Sequence, residues 1–129
     1  YHIVAEKRSQ NAPPWEKIRL AMVVSVANQL ISYPIIYAFI DNCVNVDLNY
    51  NIKDYLMQFM IFTVIADQWF YWTHRMMHKI KFFYNNIHYI HHQWTYPIAV
   101  RTIYAHPIEH IITNVGTLMV PPLLYPSSL

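Results

Sequence analysis

Seven of the eight histidines in this 129-residue chain fall between residues 74 and 110, in three groups: His74 and His78; His88, His91 and His92; His106 and His110. Imidazole is the commonest protein metal ligand and is costly to bury uncharged without a partner, so this density calls for something to bind. His74 with His78, and His88 with His92, stand four residues apart, with His91 beside the second pair. On one helix face that spacing lets two imidazoles meet one ion without backbone strain. Any one of these histidines taken alone reads as a structural residue, but five so aimed point to metal. Five or more nitrogens exceed the four that one tetrahedral zinc takes, so two metals are expected, and imidazole suits iron. The residue after His74 is Arg75 rather than the general-base glutamate of a zinc peptidase. The single cysteine, Cys43, cannot build a cysteine zinc site and reads as a small buried apolar residue.

The elements that position these side chains are expected to be helices in a membrane. With 55% hydrophobic and 12% charged residues, the chain is too apolar for an ordinary soluble domain, and its length supplies one domain. One glycine and eight prolines argue against a turn-rich β architecture, so the fold class is all-α. The basic residues form no nucleic-acid stripe. Residues 1–19 are a basic lead-in with Lys7, Arg8, Lys17 and Arg19, and Pro13-Pro14 precedes a helix starting near Trp15. Residues 20–40 carry no charge and rise roughly 31 Å, enough to cross a hydrocarbon core of about 30 Å. Within them Asn28 and Gln29 are expected to face protein and Pro34 to kink the helix.

After a polar connection, a second span is expected over residues 55–73, broken only by Asp67. A carboxylate in a span is expensive and marks a functional candidate. Tyr71, His74 and His78 follow Asp67 at helical offsets, which places Asp67 above the first histidine pair. Trp69, Trp72, Trp94 and Tyr96 suit either an interfacial aromatic belt or a packed core. Basic residues lie before the first span and after the second, so the two spans form a hairpin with the histidines on the cytoplasmic side. Asn85 or Asn86 is expected to cap a helix bearing His88, His91 and His92. Gln93 to Ala105 reads as a loop returning to the site. The apolar segment 111–129 is either a third span or a re-entrant hairpin.

Three elements now stand in order: Asp67 through the His74-Arg-Met-Met-His78 box, the His88-Tyr-Ile-His91-His92 box, and Tyr104-Ala-His106-Pro-Ile-Glu109. Together they resemble the fatty acid hydroxylase and sterol desaturase superfamily, and the Tyr-Ala-His-Pro-x-Glu segment is most similar to its 4-methylsterol oxidase branch. The resemblance implies an integral membrane enzyme of the endoplasmic reticulum with a di-iron centre on the cytosolic side. Such an enzyme uses dioxygen to hydroxylate or desaturate a lipid, here a sterol, with electrons from a b-type cytochrome and its NAD(P)H-dependent reductase. By motif, His74, His78, His88, His91, His92 and His106 carry over as metal ligands. Asp67 and Glu109 would orient the ligand rings from behind. His110 lies outside the pattern and reads as structural. The family's third histidine box does not occur within residues 1–129, so this piece is expected to be inactive alone.

Two other classes compete. Histidine pairs fourteen residues apart, such as His74 with His88, would suit axial ligands of a haem in an electron-transfer protein. Lys79, Lys81 and Asn85-Asn86 argue against the continuous buried helix that this needs. A non-catalytic membrane protein that keeps a bound metal is the other.

Overall fold

A computed structural model describes residues 13–43, 51–93 and 98–125. Residues 1–12, 44–50, 94–97 and 126–129 lie outside this description, as does the Cys43 side chain, and with them the expectations made for Lys7, Arg8, Trp94, Tyr96 and Pro97. Every element among the described residues is helical: α1 (Trp15–Cys43), α2 (Ile52–Lys79), α3 (Lys81–Asn86), a 3₁₀ helix (His88–His92), α4 (Val100–Ile103), α5 (Pro107–Glu109), a π-helical turn (His110–Val115) and α6 (Gly116–Leu124). The all-α expectation holds.

Helix α1 starts at the expected tryptophan and runs past Pro34 without ending. Over Trp15–Asn42 it is the one helix among those described that is long and apolar enough to cross a membrane. Its protein-facing side is a stripe of small or polar residues, Ala21, Ser25, Asn28 and Ser32, all buried. Recurrence every three to four residues keeps them on one face, and their small size lets other backbone approach closely. Asn28 behaves as expected: its Nδ2 donates to the Ala105 carbonyl at 2.9 Å. Gln29 does not, since it sits one residue off the stripe and is exposed. Leu20, Val23, Val26 and Leu30 point outward from the same helix. Such a continuous apolar face suits lipid.

Helix α2 opens with Asn51 as N-cap, its side chain accepting from the Lys53 N–H at 3.2 Å. It closes at Ile80, whose extended backbone (φ −91°, ψ 113°) ends the helical ladder. Asp67 and Gln68 are exposed halfway along it. The apolar run from Tyr55 to Ala66 therefore rises only about 18 Å, short of a hydrocarbon core of about 30 Å.

A third segment packs with the two long helices. Segment 107–124 packs against α2 and also meets α1, while α4 lies on α1. Helix α6 reaches α2 because Gly116 faces Trp69: a Cβ at Gly116 would overlap the Trp69 indole nitrogen. The π turn completes this contact. Gly116 N–H bonds the carbonyls of Ile111 and Thr113 rather than that of Ile112 four residues back. The Ile112 carbonyl instead accepts the Trp69 indole N–H at 2.9 Å. A backbone group displaced from the α ladder is thus satisfied across the helix interface.

Candidate metal centre

The last turns of α2 present His74 and His78. Below them Met77 is fully buried, and the Thr73 hydroxyl donates to the Trp69 carbonyl at 2.8 Å, so this end of the helix is fixed. Phe70 stacks on the His74 ring with centroids 5.6 Å apart. The break at Ile80 then turns the chain back, and α3 delivers the 3₁₀ helix to the same place. Asn86 does not cap the second histidine segment as expected. It lies within α3 and its side chain donates to the Phe82 carbonyl at 2.8 Å. The segment is also wound more tightly than the expected α-helix, so His91 falls under His88 while His92 turns toward α2.

Four ring nitrogens converge. His74, His78, His88 and His92 each offer one nitrogen, and all four lie within 4.8 Å of one another. The Nε2 atoms of His74 and His78 are 3.2 Å apart, those of His78 and His88 3.0 Å, and those of His88 and His92 2.8 Å. Two nitrogens bound about 2.1 Å from one ion stand roughly 3.0 to 3.4 Å apart, for octahedral and tetrahedral angles. Neighbouring nitrogens are thus close enough to share an ion, at separations that hydrogen-bonded rings also reach.

The tautomer of His88 sets what the cluster can offer. His88 is fully buried, and its Nδ1 lies 2.7 Å from Oε1 of the buried Glu109. An ionised carboxylate only accepts, so Nδ1 carries the hydrogen and Nε2 is left with a lone pair. That lone pair faces both His78 and His92, and cannot accept well from two rings at once. A cation placed among the four nitrogens meets every lone pair. Burial, and after it the neighbouring His88, hold His74 and His78 below the ordinary histidine pKa, which favours the neutral form that binds metal. Tyr84 covers the open side, its ring 6.0 Å from His78 and 6.4 Å from His92.

The remaining expected residues separate. His91 flanks the cluster, 5.2 Å from the His92 ring, and its Nδ1 donates to the Tyr104 carbonyl at 3.1 Å, leaving Nε2 free. His106 is the N-cap of α5, its Nδ1 accepting the Ile108 N–H at 3.2 Å, and it stands outside the four-nitrogen group. Pro107 follows as the first helical residue, where its missing N–H costs nothing. Glu109 holds the His88 ring, whereas Asp67 is exposed and is not hydrogen-bonded to any histidine among the described residues. His110 is structural as expected: its Nε2 meets Ser32 Oγ at 2.8 Å and its Nδ1 meets Asn114 Nδ2 at 3.1 Å. Sequence reasoning missed Ser32 and Tyr104. A carbonyl anchor such as that of Tyr104 has no side-chain signature, but the regular spacing of Ser25, Asn28 and Ser32 was a readable one.

An all-helical chain with one helix long and apolar enough to cross a membrane and four histidines that could hold a metal ion is the class of protein that the fold and the cluster define. Within that class the chain belongs to the fatty acid hydroxylase family, whose model matches residues 59–129. It is 45% identical over 75 residues to fatty acid hydroxylase domain-containing protein 2 of Homo sapiens, covering 58% of this chain and 22% of that protein. It is 31% identical over 115 residues to the C-4 methylsterol oxidase of Schizosaccharomyces pombe, covering 85% and 37% respectively. Its identity to the C-4 methylsterol oxidase of Candida albicans is 30% over 126 residues, covering 94% and 40%. The chain thus spans between 22% and 40% of the length of these relatives. No solved structure matches it.

Proposed function

We propose that this chain carries most of the iron site of an oxygen-dependent membrane oxidoreductase acting on a lipid, a sterol in the first instance. One observation carries the reading: four imidazole nitrogens meet at ligand spacing, with His88 held in the binding tautomer by Glu109. The sterol assignment is supported by relatives that are named methylsterol oxidases.

His74, His78, His88 and His92 would hold the first iron, and His91 would face a second, with His106 brought to it only by turning away from its cap. When bound, iron supplies the redox chemistry with dioxygen that no side chain here can perform. The chain's own part is to keep the rings neutral and aimed, to shield them with Tyr84 and Phe70, and to present apolar surface to an unreactive C–H bond. A b-type cytochrome and an NAD(P)H-dependent reductase would deliver electrons at the cytosolic face of the endoplasmic reticulum membrane. That placement is supported by the basic residues Lys17, Arg19, Arg75, Lys79 and Lys81, which flank the apolar helices. A second crossing by α2 is part of the proposal and would require cover for Asp67.

The cluster disfavours the haem alternative, because four rings meet with neighbouring nitrogens 2.8 to 3.2 Å apart, closer than the roughly 4 Å between two axial nitrogens each about 2 Å from one iron. A single non-catalytic ion is the second reading, favoured by the fact that four ligands satisfy one tetrahedral zinc. The two readings part on one experiment with the intact protein purified from cells grown in iron and zinc. Iron in excess of zinc, together with oxygen-dependent turnover of a 4-methylsterol, supports the oxidoreductase. Zinc at one per chain with no turnover refutes it.

A further inference from the structure

The four converging histidines do not sit at equal depth. His88 is buried against Glu109, His74 and His92 are half-buried, and His78 is exposed. The cluster therefore has two sides from which it can be approached. On one, a cavity of about 770 Å³ is bordered by His74 and His91, with Phe70, Ile98 and Ile103 among its apolar wall. A volume of that size suits a lipid's reacting portion. On the other, His78 meets the surface, partly roofed by the Tyr84 ring 6.0 Å away, and neither of these residues borders the cavity.

The surface around His78 has a definite character. The chain continues as Lys79-Ile80-Lys81-Phe82, all four exposed, with Ile80 at 45% and Phe82 at 66%. The turn is held to the cluster by backbone pairing: the Ile80 N–H donates to the Met76 carbonyl, and the Ile80 carbonyl accepts the Tyr84 N–H, both at 3.0 Å. Exposed apolar side chains rimmed by cations have the anatomy of a small protein contact. The charge is also one-sided. Between residues 68 and 108 the sequence holds Arg75, Lys79, Lys81 and Arg101 and no aspartate or glutamate, so a complementary partner is acidic.

We propose that the turn from His78 to Phe82, together with Tyr84, is the docking surface for an acidic one-electron carrier protein, and that the electron enters at His78. The proposal rests on the oxidoreductase reading above and gives its two reactants separate sides, the lipid at His74 and His91 and the carrier at His78. One electron leaves the reduced carrier and passes through the His78 imidazole, so the carrier is oxidised and the iron of that reading is reduced by one electron. This path is one ring long, whereas His88 is fully buried and His74 faces the cavity. Contacts between redox proteins are small and weak, so charge steering carries much of their rate.

The test uses the intact protein in phosphatidylcholine nanodiscs and the soluble domain of an acidic b-type cytochrome. Equilibrium binding of the oxidised domain, and the rate at which the reduced domain gives up its electron to iron-loaded protein, are followed against salt. Both should weaken as salt rises, and Lys79→Glu combined with Lys81→Glu should lower both about tenfold at low salt while reduction by dithionite is unchanged. Lys53→Glu, a charge reversal at the opposite end of α2, should leave both at the wild-type value. Wild-type binding in the double variant, an equal loss in Lys53→Glu, or indifference to salt would overturn the proposal. Intact binding joined to weaker retention of phosphatidylserine in mixed-lipid nanodiscs would overturn it by assigning the turn to anionic headgroups. Iron content and metal-free binding, measured on the same samples, keep the two readings apart. Iron-loaded protein whose binding ignores the reversal defeats this inference alone, and charge-dependent binding by protein that retains no iron defeats the metal reading alone.

Discussion

At the scale of the residue, the chemistry depends on which nitrogen of each ring holds its proton. Glu109 decides this for His88, and the Tyr104 carbonyl decides it for His91. Replacing Glu109 with alanine leaves a buried Nδ1–H without an acceptor and frees the ring to rotate. We expect metal affinity to fall about 10- to 100-fold, read by competition with a chromogenic chelator. Protonation gives a second expectation, for the metal-free protein. His74 and His78 have folded pKa values below the ordinary 6.5, so the unfolded chain binds more protons as the pH falls past that value. Stability is therefore full above pH 6.5 and declines on acidification below it, and saturating metal should push the decline to lower pH. Denaturant midpoints across that range, with and without iron, would show it, and a metal-free midpoint that does not fall would contradict it. The histidine and glutamate types were legible in the sequence because few other residues do this work. Their division of labour was not, since His91 and His106 carry the same motif weight as His92 and differ only in what the folded backbone offers them.

At the scale of the element, α2 and α6 meet through a fitted contact. Gly116→Ala puts a methyl group into the Trp69 ring and pushes the indole off the Ile112 carbonyl. Overpacking of this kind costs about 1–3 kcal/mol, to be read from thermal or denaturant unfolding in detergent. Trp69→Phe removes the same hydrogen bond by another route, and with Gly116→Ala the double mutant should cost less than the sum of the singles. Strict additivity would show that the contact is not shared. The long helices α1 and α2 could be read from apolar runs, but their ends ran past the spans because helical pairing does not stop at the edge of lipid. The turn at Ile80 was illegible for a different reason: neither glycine nor proline marks it. The π turn likewise follows from Trp69 claiming a carbonyl 43 residues away, which no local pattern encodes.

At the scale of the whole molecule, the segment at residues 105–110 is tied to the first helix by two polar contacts over very long separations. Asn28 reaches the Ala105 carbonyl across 77 residues, and His110 reaches Ser32 across 78. Both lie on the small-residue stripe of α1, so one face of one helix sets the position of residues 105–110. Asn28→Ala and Ser32→Ala should each cost about 1–3 kcal/mol, since each leaves a buried partner unpaired. Each should also loosen Glu109 from His88 and weaken metal binding without touching a ligand. Unchanged metal affinity in both variants would show that α1 is a passive anchor. Outside this core the apolar faces of α1 and α2 stay uncovered, as a bilayer allows.

Residue, element and whole molecule meet in the converging imidazoles, which we propose hold iron. The most direct measurement is iron per chain in the intact protein after anaerobic loading, in the wild type and in His88→Ala and His91→Ala. The account predicts about two irons in the wild type, close to none in His88→Ala, and about one in His91→Ala, with nitrogen-dominated coordination in X-ray absorption. Iron content unchanged by His88→Ala, or a first shell without imidazole, would contradict it.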